Sequence, residues 1–181
     1  MSKNGLILLT PTSIAYTGTS ATVGANGSVE FSACSSLSLN GVFSADYDNY
    51  VIVVRDKRSS GTSYFNYRLR ANSVDESSAS NYYTSQRLLG YGTLIGGFRA
   101  NENFGRGSDH SNIEGGRVVY LFGPYLAQPT AVRDVSVSGE LGATVDNFAS
   151  THSLSNAYDG ITFLDGSANF SGRVAVYGMR K

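Results

Sequence analysis

Several residue groups in this chain have side chains of the types that could do chemistry. Ser108-Asp109-His110 contains the residue types of a nucleophilic triad, but a triad is a spatial arrangement and sequence neighbours do not assemble one. His110 and His152 lie far apart and the lone Cys34 has no Cys-x-x-Cys partner, so no zinc-ligand spacing is present. Asp46-Tyr47-Asp48-Asn49 offers several hard oxygens in one turn, as a calcium ion requires. It lacks the glycine and distal glutamate of an EF-hand loop, and an Asx-type turn leading into a strand accounts for the same residues. A glycosidase needs two carboxylates about 5–10 Å apart across a groove, which the 14 acidic residues allow by number. Tyr82, Tyr83 and Tyr91 could stack on sugar rings, although cross-strand packing explains each of them singly. Gly105-Arg106-Gly107-Ser108 has neither the lysine nor the following helix of a phosphate cradle. Asn26-Gly27-Ser28 and Asn169-Phe170-Ser171 match the glycosylation pattern as this composition allows by chance. The residues therefore predict no enzyme, no cofactor and no metal.

The elements that would position these groups are strands. Val29, Phe31 and Ala33 alternate with polar neighbours, as do Leu37 and Leu39. Phe65, Tyr67 and Leu69 oppose Asn66, Arg68 and Arg70, and Val135 and Val137 alternate with Ser136 and Ser138. Near the end of the chain, Phe170, Gly172, Val174 and Val176 share one face. Period-2 alternation of this kind predicts strands with one face in the core. The denser runs Tyr50 to Val54 and Val118 to Phe122 predict central strands covered on both faces. Asn26-Gly27, Asn40-Gly41, Ser60-Gly61, Asp159-Gly160 and Asp165-Gly166 mark turns. One short helical turn from Asp75 to Ala79, capped by Ser73, is the best helix candidate. The expected fold is an all-β antiparallel sandwich, jelly-roll-like, with about eight to ten strands and little helix. At 181 residues one domain over 1–181 is the default.

Composition narrows the function classes. Lys and Arg number 14 against 14 Asp and Glu, which gives no basic excess for phosphate neutralisation, so nucleic acid is not an expected partner. Leu6-Ile7-Leu8-Leu9 is too short for a signal-peptide core of roughly 7–15 residues or a membrane helix of about 20, so neither secretion by that route nor membrane insertion is expected. A single cysteine excludes an internal disulfide. Twelve Tyr and nine Phe among β-branched residues argue against disorder.

The run from Ser36 to Val54, with Phe43, Tyr47-Asp48-Asn49-Tyr50 and the apolar strand behind it, resembles a segment of small β-rich virion proteins of tailed bacteriophages. Tyr67-Arg68-Leu69-Arg70-Ala71, Asn81-Tyr82 to Gln86-Arg87, Ser155 to Asp159-Gly160 and Gly172 to Gly178 look similar too. The resemblance implies a jelly-roll-like module of a tail fibre or minor tail protein that trimerises and contributes to host attachment. A capsid decoration protein that stabilises the head is the alternative, and a carbohydrate-binding or polysaccharide-degrading module the third reading. The implied partners are copies of itself, other virion proteins and a host surface glycan or receptor, and the implied location is the virion. Residues 1–12 stand as a candidate anchoring or oligomerisation arm, with Leu6 to Leu9 or the terminal strand as the contact. Two stretches, Asn72 to Gln86 and Gly96 to Gly116, read as long irregular loops, where contacts concentrate. They supply the candidate contact residues Tyr82, Tyr83, Arg99, Phe104, Arg106 and His110.

Overall fold

A computed structural model of the chain describes residues 5–78, 80–90, 93–94, 99–138 and 144–181; for 85–90, 93–94, 99–100, 109, 138 and 144 it describes the backbone alone. Among these residues there are fifteen strands and no helix. The first five are β1 (Leu6–Leu9), β2 (Ser13–Val23), β3 (Val29–Asn40), β4 (Tyr47–Arg58) and β5 (Ser63–Ala71). Then come β6 (Val74–Asp75), β7 (Tyr82–Gly90), β8 (Thr93–Leu94), β9 (Arg99–Glu102) and β10 (Gly105–His110). The last five are β11 (Gly115–Phe122), β12 (Thr130–Ser138), β13 (Thr144–His152), β14 (Gly160–Leu164) and β15 (Phe170–Arg180). The surplus over the expected number lies in short pieces such as β6 and β8, two residues each.

All pairings are antiparallel, and the sheet runs β10-β5-β14-β3-β15-β4-β11-β12-β13-β7-β8. It curls into a jelly-roll-like sandwich because β3 belongs to both layers. The first part of β3 pairs with β15 (Val174↔Val29 to Phe170↔Cys34) and the later part with β14 (Leu164↔Ser36 to Ile161↔Leu39). The bend sits at Ala33, a non-glycine residue at φ 47°, whose amide donates to Ser171 Oγ at 2.9 Å. Opposite it Gly18 lies at φ 153°, where a Cβ would fall 2.4 Å from the Ala33 carbonyl oxygen, so only glycine permits this crossing. The bulge also shifts the side-chain parity. Val29 and Phe31 point inward as expected, but Cys34 rather than Ala33 takes the next buried place.

The core between the layers is aromatic and aliphatic. Phe65 stands at its centre, with ring centroids 5.1 Å from Phe163 and 5.6 Å from Phe170. Leu37, Leu39, Ile52, Leu69, Leu121 and Ile161 fill the space around them. At the other end the His152 ring lies tilted against Tyr82 and edge-to-face with Tyr158.

Several expectations are corrected. β4 and β11 are central, but one face of each is open: Val53 is 42% exposed and Phe122 44%. The stretch from Asn72 onward is not an irregular loop, since β6 and β7 lie in it, and β9 and β10 occupy much of the second stretch. Asp75 is in β6 rather than a helical turn, with Asn72 and Ser73 in a left-handed turn at φ 52° and 65° before it. Leu6 to Leu9 pairs with the chain's own β15, from Leu6↔Met179 to Leu9↔Val176, so this part of the supposed arm is a sheet strand. No helix among the described residues is long and apolar enough to cross a membrane.

Candidate functional site

The outer face of β15, β4, β11 and β12 carries an apolar surface. Strand β12 is turned against the expected polarity: Val132, Asp134 and Ser136 point into the core, while Val135 and Val137 point out. Strand β13 does the same, with Asp146 fully buried and Val145 44% exposed. Cross-strand register then joins these valines to their neighbours. Ala175, Val53, Val118 and Val135 form one continuous row over β15, β4, β11 and β12. Tyr177, Val51, Tyr120 and Arg133 form the next row, and Val137 stands beside Val145. At about 4.8 Å per strand the patch is about 20 Å wide.

Charged and polar groups rim this patch. Arg55 Nε pairs with Glu114 Oε1 at 3.1 Å, and Arg173 Nε faces Glu30 Oε1 at 3.9 Å. Arg133 Nε donates to Asn147 Oδ1 at 3.4 Å. An apolar centre with tyrosine and arginine around it is the anatomy of a protein contact surface.

Beneath the face, a buried ionic network holds the two layers together. His110 Nδ1 lies 2.8 Å from Asp56 Oδ2, and its Nε2 lies 3.0 Å from Asp165 Oδ2, although this second approach lacks aligned hydrogen-bond geometry. Arg58 donates Nε to Asp165 Oδ2 at 2.5 Å and a terminal nitrogen to Ser167 Oγ at 2.8 Å. Arg117 reaches Asp56 Oδ1 at 3.3 Å and Asp134 Oδ2 at 3.5 Å, and its guanidinium stacks 4.1 Å from the Phe65 ring centroid. The His110 ring, Arg58 and Arg117 thus meet the three carboxylates Asp56, Asp134 and Asp165. Burial works against ionisation of Asp56 and Asp165. For Asp56 the Arg117 charge and the His110 hydrogen bond outweigh it, and for Asp165 the close His110 ring and the Arg58 hydrogen bonds do, so both stay below the usual carboxylate range.

Strand β10 can enter this network because Gly107 has no side chain: a Cβ there would lie 2.4 Å from Phe65 O and 2.5 Å from Asp134 Oδ2. Asp56, His110, Asp165, Arg58 and Arg117 have side chains at most 4% exposed, so they join β4, β10 and β11 to the segment after β14 and meet no solute. The triad residue types of Ser108 and His110 are thus spent on structure.

The six candidate contact residues do not form one site. Tyr82 is fully buried; its hydroxyl accepts the Leu69 amide at 3.0 Å and donates to Glu76 O at 2.9 Å. His110 is 2% exposed within the network. Both corrections have one cause: a polar tip on a large ring is satisfied inside the sandwich. Tyr83 is 37% exposed on the outer face beside Thr151. Arg106 lies 4.8 Å over the Tyr64 ring, 5.8 Å from Phe104, and is ion-paired with Glu102. Arg99 lies in β9, where it pairs with Ser85, and its side chain, like all of Tyr91, is outside the described residues.

Asp46 and Asp48 are engaged separately. The Ser44 hydroxyl contacts the Asp46 carboxylate and accepts its amide, both at 3.3 Å, while Asp48 pairs with Lys181 at 3.0 Å. Among the described residues no three His, Cys, Asp or Glu side chains gather as a metal site. Cys34 donates to Ser20 O at 3.4 Å, and burial pushes its thiol pKa up. The outer face escaped the sequence reading because valine was assigned to the core. The signal that could have found it is the Asp134-Val135-Ser136-Val137 run, read with both polarities open.

No protein-family model matches the chain, and no curated protein matches it. Among solved structures, Caenorhabditis elegans galectin LEC-6 is similar at 10% identity and a TM-score of 0.33, over 91% of this chain and 95% of that one. Domain 4 of the extracellular arabinanase AbnA from Geobacillus stearothermophilus is similar at 12% identity and 0.35, over 92% and 82% of the two chains. The SPRY domain of human HERC1 is similar at 10% identity and 0.30, over 90% and 99%. At these values neither a ligand nor an activity carries across to this chain.

Proposed function

We propose that this chain is a structural, non-enzymatic component of a bacteriophage particle that docks its outer sheet face onto another protein of the particle. The observation that carries the reading is the row of outward valines and tyrosines on β15, β4, β11 and β12, reached by turning β12 inside out. A strand that buries Asp134 and Ser136 while exposing Val135 and Val137 loses burial of apolar area. Local departures from the folding pattern of this kind concentrate at working surfaces. The phage setting rests on the resemblance in the Ser36 to Val54 run and the segments after it.

The test is binding of the purified chain to particles assembled without it, followed by cross-linking to locate the contact. Val53→Lys and Val137→Lys are expected to abolish binding while leaving the melting temperature nearly unchanged. Binding that persists in both variants would remove the face from the proposal.

A second reading has one observation of its own. Tyr120 and Tyr177 flank Val51 on this open face with Arg133 at the row's end, a platform suited to stacking on a sugar ring. Retention on a host-glycan column, lost in Tyr120→Ala, favours that reading; sugar release by the chain overturns the non-enzymatic one.

A further inference from the structure

Residues 4–29 contain no Asp, Glu, Lys, Arg or His, and this charge-free stretch includes the whole of β2. Among the described residues β2 pairs with β3 along one edge, from Ser13↔Asn40 to Val23↔Val29, and its other edge pairs with nothing. Nine of its eleven residues are exposed; Ile14 and Ala21 are half-buried against the core, which leaves the outward face and the free edge of β2 open. Sheet edges are normally blunted by lysine, by proline or by a covering segment, because a row of free amides and carbonyls templates another strand. β2 contains neither residue, and its single irregularity, the register shift at Thr17–Gly18, belongs to the Gly18–Ala33 crossing.

We infer that β2 pairs edge to edge, antiparallel, with β2 of a second copy of this chain. Three features select a second copy over a foreign peptide. A lone added strand draws its specificity from pockets on either side of it. The nine exposed residues of β2 present an open face and a free edge, so an incoming strand must bring its own supporting sheet. A second copy brings β3 behind its β2, so the sheets of the two copies join into one across the contact. The absence of charge means that identical strands meet without repulsion. Antiparallel pairing of identical edges is also self-complementary about a two-fold axis, which closes at two copies. The contact therefore departs from the trimer that the virion resemblance implies, and it stands apart from the docking face on β15, β4, β11 and β12.

Sedimentation velocity on the purified chain tests this. The expected mass is twice that of one chain; one or three chain masses overturn the inference. Thr17→Lys/Thr19→Lys and Thr17→Glu/Thr19→Glu are each expected to sediment as one copy, and their equimolar mixture as two. A mixture that stays at one copy, or a lysine variant that stays at two, overturns it. Hydrogen exchange on the unaltered chain needs no variant. Protection of amides in Ser13–Val23 is expected to rise with protein concentration, and protection independent of concentration is the contrary result. The face substitutions Val53→Lys and Val137→Lys are expected to leave the two-copy mass unchanged, so failure of the docking face and failure of this edge are read separately.

Discussion

Asp134 Oδ2 accepts the Ser108 amide at 2.7 Å inside the sandwich, while the adjacent Val135 lies on the outer face. Adjacent residues thus carry opposite obligations, and substitution separates them. Asp134→Ala leaves the Ser108 amide and part of Arg117 unmatched in the core and is expected to cost about 3 kcal/mol of unfolding free energy in urea titration. Val137→Thr, on an exposed position, is expected to stay within about 0.5 kcal/mol. Equal losses would mean that the outer valines belong to the core.

Asp165 takes Arg58 and His110 together. Asp165→Ala removes the buried carboxylate that pairs with Arg58 and faces the His110 ring, and breaking a buried ion pair in this way typically costs about 3–5 kcal/mol. The expected result is a large fall in denaturant midpoint with little change in slope. Full retention of stability would show that the network is dispensable and free for another role.

The pH dependence of stability has two expected stages. Burial lowers the His152 pKa, outweighing the opposing charge of Glu76, so the folded state resists a proton that the unfolded chain accepts. That contribution is present above about pH 6.5 and declines as pH falls below it. Asp56 and Asp165 are likewise held low in the folded state, so their contribution declines only as pH falls below about 4. Midpoints measured from pH 7 to pH 3 should show an early gentle loss and a later steep one. His152→Phe is expected to remove the early stage alone, and persistence of that stage assigns it elsewhere.

Gly18→Val places a side chain against the Ala33 carbonyl at the β2–β3 crossing. The expected cost is about 1–3 kcal/mol. It should be accompanied by faster hydrogen exchange in β2 than in β15, because the strain falls on the edge strand. Uniform acceleration across the sheet would contradict this.

Much of the sandwich was legible because period-2 patterning and Asn-Gly or Asp-Gly turns act locally. Phe65, Tyr67 and Leu69 fall in the core as their spacing requires, as do Val174 and Val176. What the pattern missed are decisions made across the sheet. The Ala33 bulge moves burial from one residue to the next, and nothing near Ala33 in the chain marks it. Val135 and Val137 read as core because hydrophobicity does not record which face is covered. Tyr82 and His110 read as surface contacts because their neighbours are polar, while their partners Glu76, Leu69, Asp56 and Asp165 lie elsewhere in the chain or in other elements.

The position of β15 has a consequence for how the chain is made. It lies between β3 and β4 and also receives β1, and a ribosome delivers it after all three. Strands synthesised early must wait, unpaired along those edges, for one synthesised late. Contacts of such long sequence separation are slow to form, and waiting edges are exposed to other nascent chains. Productive folding of this protein therefore waits on β15, and its yield should depend on how many incomplete chains stand close together.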